Sequence, residues 1–130
     1  MKVEGDTMTQ KILVVDDNEQ NLILMRDILE YYGHAVLTAQ NGEEGIRLAQ
    51  EHRPALILMD IQMPGMDGYA ALRMLRGYPE LENIKIIAVT ALAMSGDKEK
   101  LLHSGFDDYL AKPVDIRQLS AMVNKHLSRE

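Results

Sequence analysis

The sequence predicts an α/β protein, a doubly wound five-stranded parallel sheet with five helices on its two faces. Three observations lead there. From Lys11 onward, short apolar runs alternate with amphipathic helical stretches, strand then helix, five times over. The run Ala55-Leu56-Ile57-Leu58-Met59 contains no polar residue, as expected of a strand covered on both faces. Each crossover must also return the chain to the same edge, which makes neighbouring strands parallel and leaves few right-handed topologies open.

The elements follow in order. Ile12-Leu13-Val14-Val15 is a buried strand ending in Asp16-Asp17. Asn18 to Tyr32 is helical, because Leu22, Met25, Leu29 and Tyr32 recur at helical spacing with Ile28 beside them. Asp17 or Asn18 can cap its start, and Gly33 supplies the left-handed residue that ends it. His34 to Ala39 is a short second strand. Asn41 caps a helix over Gly42 to His52, with Glu43 and Glu44 in the first turn, where the helix dipole favours anions.

Pro54 stops that helix and feeds the central strand, which ends at Asp60. After the loop from Met63 to Gly68, Tyr69 to Arg76 forms the third helix, and Gly77 to Asn83 is a loop. Ile84 to Val89 is the fourth strand, ending in Thr90, and Ser95 to Ser104 is a charged helix closed by Gly105. Tyr109-Leu110-Ala111 is the fifth strand, ending at Lys112-Pro113. Asp115 caps a last helix through Leu127, with Leu119, Met122, Val123, His126 and Leu127 at core spacing.

Composition narrows the function. With 130 residues, the chain has room for one domain with a proper core. One Phe, five Tyr and no Trp leave the core to Leu, Ile, Val, Ala and nine Met. The absence of Cys excludes disulfides, thiolate metal sites and cysteine nucleophiles. No apolar run approaches a membrane span, and residues 1–10 form a polar tail without the apolar core of a signal peptide, so a cytoplasmic location is expected. Met8 serves equally well as a natural start. A net charge of -6 argues against nucleic acid or anionic membrane as a partner.

The chemistry stands at the strand ends. Asp16-Asp17 follows the first strand, Asp60 the third, Thr90 the fourth and Lys112 the fifth. A charge inside a doubly covered strand is costly, so Asp60 belongs at the tip, where open α/β sheets place their ligand crevices. A carboxylate there could merely cap the next turn, and the other strand ends decide against that. Two carboxylates about 4 Å apart repel by roughly 4 kcal/mol at an effective dielectric near 20. Lys112 offers one balancing charge, and a hard divalent cation offers two. Mg²⁺ suits best, since it takes one or two carboxylates and keeps room for phosphate oxygens. In this arrangement one acid of the Asp16-Asp17 pair contacts the metal and the other reaches it through water. Asp60 is both ligand and nucleophile, and Thr90 and Lys112 hold phosphoryl oxygens. A backbone carbonyl near Gln62 completes the shell.

These segments resemble the receiver domains of two-component response regulators. The likeness lies in Val-Val-Asp-Asp-Asn, Leu-Met-Asp-Ile-Gln-Met-Pro-Gly-Met-Asp-Gly, Ala-Val-Thr-Ala and Tyr-Leu-Ala-Lys-Pro, four motifs in order, each at a strand end. It covers residues 11 to 127, so a receiver domain over 11–130 is expected. The resemblance implies a flavodoxin-like strand order of 2-1-3-4-5. It also implies that Asp60 accepts phosphate from a sensor histidine kinase or phosphotransfer protein, with Mg²⁺ held by Asp17, Asp60 and the Gln62 carbonyl, and Asp16 assisting. Lys112-Pro113 is implied to be a cis peptide. Thr90 and Tyr109 fall on the family's switch pair, which repacks the surface of the fourth helix, fifth strand and fifth helix for a downstream protein partner.

Two other classes fit less well. A phosphatase of the haloacid dehalogenase type would need an acid two residues after the nucleophile, where Gln62 stands. A flavodoxin-like electron carrier would need a hydroxyl-rich loop after the first strand, where two acids would repel phosphate. The expected protein is a signalling switch rather than an enzyme and a monomer or weak dimer, either a stand-alone regulator, the preferred reading, or a receiver cut from a larger protein such as a hybrid kinase. His34, His52, His103 and His126 show no ligand spacing and read as surface residues. Met25, Met59, Met74 and Met122 read as core, and Leu92-Ala93-Met94 as either an exposed partner contact or a helix lead-in. Gly42 and Gly45 make no dinucleotide fingerprint, since no glycine-rich turn follows the first strand.

Overall fold

Five apolar segments too short to be helices can satisfy their backbone groups only by pairing, and they do so in one sheet. The computed structural model describes residues 10–91 and 96–127. Its strands are β1 (Lys11–Val15), β2 (Ala35–Ala39), β3 (Leu56–Asp60), β4 (Lys85–Thr90) and β5 (Asp108–Ala111). They run parallel in the order β2-β1-β3-β4-β5. The helices are α1 (Glu19–Tyr31), α2 (Gly42–His52), α3 (Gly68–Arg76), α4 (Asp97–Ser104) and α5 (Ile116–Leu127). The predicted fold and strand order both hold.

The helix boundaries come from local chemistry. Side chains of Asn18, Asn41, Asp67 and Asp115 accept hydrogen bonds from backbone N–H groups three residues on, at 2.8–3.0 Å. At the end of α4, Gly105 is left-handed at φ 115°, a conformation costly for a residue with a Cβ. The loop after α3 contains a short 3-10 turn, Pro79–Leu81, that hydropathy patterning does not reveal. The Leu92-Ala93-Met94 contact and the Ser95 helix start lie outside the described residues.

Period-two alternation divides the core into two layers. Leu13, Val15, Ile57, Met59, Ile86 and Ala88 face α2, α3 and α4, with Leu72, Leu75 and Leu101 above them. Ile12, Val14, Leu56, Leu58, Ile87 and Val89 face the other way, under Leu22, Met25, Leu29, Leu119 and Val123 of α1 and α5. β3 is buried at all five positions, as its unbroken apolar run requires. Met25 and Met59 are core, but Met74 is exposed and Met122 half-buried, because both lie at the margin of the apolar stripe on their helices. Tyr32, placed by spacing on the buried face of α1, is exposed as the residue that closes the helix.

At the end of the sheet remote from the strand tips, Arg76 ties three segments together. Its guanidinium donates to the carbonyls of Ile84 at 2.8 Å, Glu82 at 3.3 Å and Gly105 at 3.1 Å, and to Asp107 Oδ2 at 2.8 Å. Asp107 Oδ2 also accepts the Ile86 N–H at 2.8 Å. A planar five-donor fork can serve these acceptors together, and a lysine cannot. Arg76→Ala is therefore expected to lower stability by about 2 kcal/mol, since hydrogen bonds to charged groups contribute roughly 1.5–3 kcal/mol each before water replaces the partly exposed ones. Urea unfolding followed by circular dichroism checks this. A loss below about 0.5 kcal/mol, the range of ordinary surface substitutions, would contradict it.

Candidate functional site

Parallel pairing brings the acids together. Val15 pairs with Met59, so Asp16 and Asp60, one residue further on each strand, stand side by side at the open edge. Alternation sends both side chains to the face of Ile12, Val14, Leu56 and Leu58. Both are almost fully buried, at 1% and 3% exposure, while Asp17 is exposed. Carboxylate oxygens of Asp16, Asp17 and Asp60 all lie within 4.8 Å of one another, the one such trio of potential metal ligands among the described residues.

Lys112 reaches in from the end of β5. Its Nζ lies 3.2 Å from Asp16 Oδ2 and 3.3 Å from Asp60 Oδ1. Its backbone N–H donates to the Thr90 carbonyl at 2.8 Å, which fixes the start of the side chain against β4. The Lys112-Pro113 peptide is cis, as the resemblance implies. Asp16 Oδ1 accepts the Asn18 N–H at 2.9 Å, and Asp60 Oδ1 accepts the Gln62 N–H at 3.3 Å.

One ammonium does not balance this much charge. Burial first, and the Asp16 charge second, push the Asp60 carboxyl up to about 6, although Lys112 and the Gln62 N–H pull the other way. Burial works against the Lys112 charge too, but the two carboxylates outweigh it and hold the ammonium above the usual lysine range. Asp16 Oδ2 is buried and accepts no hydrogen bond, and the nearby Lys112 nitrogen is close enough to attract it without being aligned to donate. A buried carboxylate oxygen in want of a partner, beside two further acids, suits a hard divalent cation with oxygen ligands.

The loop after β3 is built tightly around Asp60. Gly68 opens α3, and its N–H donates to the Ile61 carbonyl at 2.9 Å. A Cβ there would stand 2.6 Å from the Asp60 carbonyl oxygen and 2.8 Å from Ile61 Cα, so only glycine lets the helix approach.

The remaining expected site residues are Thr90, Tyr109 and Gln62. Thr90 ends β4 and is buried, but alternation puts its side chain on the face of Ile86 and Ala88, away from the Asp16 and Asp60 side chains. Tyr109 pairs with Ala88, two residues back from Thr90, is half-buried, and has Lys98 Nζ 5.9 Å from its ring centroid. Gln62 is exposed, and its backbone is fixed to Asp60 by the N–H contact.

The surface reading of the histidines holds for His52 and His103 and fails for the other two. His34 is half-buried, and burial lowers its pKa. His126 is half-buried, with Nε2 3.0 Å from Asp108 Oδ2, and Lys125 Nζ lies 3.4 Å from the same oxygen. Burial alone would raise the Asp108 carboxyl, yet contacts with His126, the Tyr109 N–H and Lys125 hold it below its usual range. The 18-residue separation of the two partners hid this pair from any reading of local spacing.

Fold and cluster together define a doubly wound α/β domain with an acidic cleft at the strand ends that could hold a cation. The chain matches the response regulator receiver domain over residues 12–124 and belongs to that family. It is 40% identical over 120 residues to the polar-differentiation response regulator DivK of Brucella anthropi, covering 92% of this chain and 98% of that one. It is also similar to the receiver domain of a Pseudomonas aeruginosa sensor histidine kinase, whose crystal structure has a magnesium ion coordinated in the active-site cleft. That match has a TM-score of 0.85 at 36% identity and covers 93% and 99% of the two chains. A chemotaxis protein of Vibrio cholerae matches with a TM-score of 0.86 at 26% identity, covering 92% and 99%. No helix among the described residues is long and apolar enough to cross a membrane.

The Asp60 shift carries a sign. The folded protein keeps this proton up to about pH 6, whereas the unfolded chain releases it near 3.8, so folded protein binds more protons between those values. The Asp60 contribution to stability without metal should therefore fall as pH rises from about 4 to about 6 and level off above. A divalent cation competes with the proton, so Mg²⁺ should raise the melting temperature at neutral pH and lose that effect as pH falls through about 6. Thermal melts with and without MgCl₂ on both sides of that value check this. Equal Mg²⁺ stabilisation on both sides, or none in either, would overturn the cation reading of the cleft.

Proposed function

We propose that the chain is a phosphoacceptor switch in which Asp60 takes a phosphoryl group from the phosphohistidine of a sensor kinase or phosphotransfer protein. The observation that carries it is the buried Asp60 carboxylate at the strand tip, with Lys112 at 3.3 Å and oxygens of Asp16 and Asp17 within 4.8 Å. An Asp60 oxygen forms a bond to phosphorus as the phosphorus–nitrogen bond of the donor breaks, and the leaving imidazole recovers a proton. Lys112 balances charge on the phosphoryl oxygens and Thr90 donates its hydroxyl to one of them. Asp16, Asp17, Asp60 and the Gln62 carbonyl would hold Mg²⁺, which when bound offsets the negative charge of acids and phosphoryl group. Aspartyl phosphate is a more demanding acceptor than the carboxylate it replaces, so Thr90 and Tyr109 rearrange and change what the α4, β5 and α5 surface binds.

The output is a protein contact made in the cytoplasm. DivK-like relatives that this chain covers almost from end to end support a free-standing regulator spanning residues 11–130 after a polar tail. Asp60→Asn is expected to abolish labelling by acetyl phosphate with Mg²⁺, read as the gain of one phosphoryl group in the intact mass. Asp17→Asn should weaken labelling at low Mg²⁺ and recover part of it at high Mg²⁺. Undiminished labelling of Asp60→Asn would refute the assignment.

A further inference from the structure

A small cavity of about 80 Å³ lies on the α3–α4 side of the sheet, lined by Ile61, Tyr69, Thr90, Asp97, Lys100 and Leu101. Its walls join the two ends of the acceptor machinery. Ile61 follows Asp60, Thr90 ends the next strand, and Tyr69 is the second residue of α3, directly after the Gly68 that closes on the Asp60 carbonyl. Tyr109 is not among the residues lining it.

The Tyr69 ring is held from two sides. Phe106, in the turn between α4 and β5, packs edge-to-face with it at 5.9 Å between centroids and 74° between planes. Lys100 of α4 places its ammonium 5.1 Å from the ring centroid, within cation–π range. Lys98, two residues earlier and so on a different side of α4, stands over Tyr109 instead. The helix is thus tied to two aromatic rings through two lysines, and of the two rings Tyr69 is the one that lines this cavity with Thr90.

We propose that Tyr69 is a positioning residue of the switch, the ring that senses Thr90 across this cavity and passes its state to α4 through Lys100 and Phe106. The proposal rests on reading Asp60 as phosphoacceptor and Thr90 as the group drawn to the phosphoryl oxygen. That movement takes the Thr90 hydroxyl out of the cavity wall and enlarges the space. Ile61 and the backbone of Tyr69 cannot follow, because Gly68 already lies against Asp60 without slack. The Tyr69 ring can, since it turns about its own side-chain torsions, and turning breaks its alignment with Lys100 and frees α4.

Fluorine NMR of the full chain with 3-fluorotyrosine at its five tyrosines tests this, each resonance being assigned by a Tyr→Phe substitution. Acetyl phosphate with Mg²⁺ is added, and the intact mass reports the phosphorylated fraction. The expected result is a displaced Tyr69 resonance whose intensity follows that fraction. A second measurement uses Tyr69→Leu, which should still be phosphorylated at Asp60 but lose the phosphorylation-dependent change in amide exchange over residues 97–104. A merely structural role would instead alter exchange equally in both states. Phosphorylated protein with an unmoved Tyr69 resonance, or Tyr69→Leu with the full exchange change, overturns the proposal and leaves the phosphoacceptor reading standing. Failure of wild type to gain a phosphoryl group at all overturns both.

Discussion

Two carboxylates nearly excluded from water, side by side, with one ammonium between them: the rest of the structure depends on this arrangement. Asp16 and Asp60 are 1% and 3% exposed, and Lys112 lies 3.2 and 3.3 Å from them. Neither acid can relax into solvent, since each is fixed at the end of a buried strand and its backbone is held by the sheet. The cleft therefore keeps an unmet demand for positive charge, seen in the unbonded Asp16 Oδ2 and in the raised Asp60. A protein selected only for stability would have removed one of these acids.

The sheet makes such a demand sustainable. Parallel strands with level ends put every tip on one edge, so that polar groups gather there and the body of the sheet stays apolar. The two core layers above and below supply the cohesion, and the opposite end is closed by Arg76 and Asp107. The excess negative charge is thus gathered at one rim of a well-packed domain. Gly68 shows how close the tolerance is, with no room for even one methyl beside the Asp60 carbonyl.

The two faces of the sheet divide the labour. The acids point toward α1 and α5, whereas Thr90 and Tyr109 lie on the side of α3 and α4. A signal raised on one face must cross a strand to reach the other, and Thr90 ends β4, the strand beside the one that carries Asp60. Beyond it lies α4, whose lysines Lys98 and Lys100 rest on aromatic rings. Contacts of this kind are worth about 0.5–1 kcal/mol at exposed sites, small enough for a local change to redirect.

Much of this was legible in the sequence. Alternating strand and helix patterns, the capping residues Asn18, Asn41 and Asp115, and charged or hydroxyl residues at the strand ends were enough for the parallel sheet and the acidic cleft, whereas the strand order came from the resemblance to receiver domains. Those features are local, governed by propensity and period-two or period-3.6 patterning within a few residues. Tertiary structure alone decided which face each side chain took, that Met74 is exposed, and that His126 meets Asp108 across 18 residues. It likewise decided that Arg76 gathers three segments and that Tyr69, rather than Tyr109, borders the space beside Thr90. The physical reason is common to all of these. They depend on distances between elements remote in sequence, set by how helices settle on a twisted sheet, and no local pattern of residues encodes that settling.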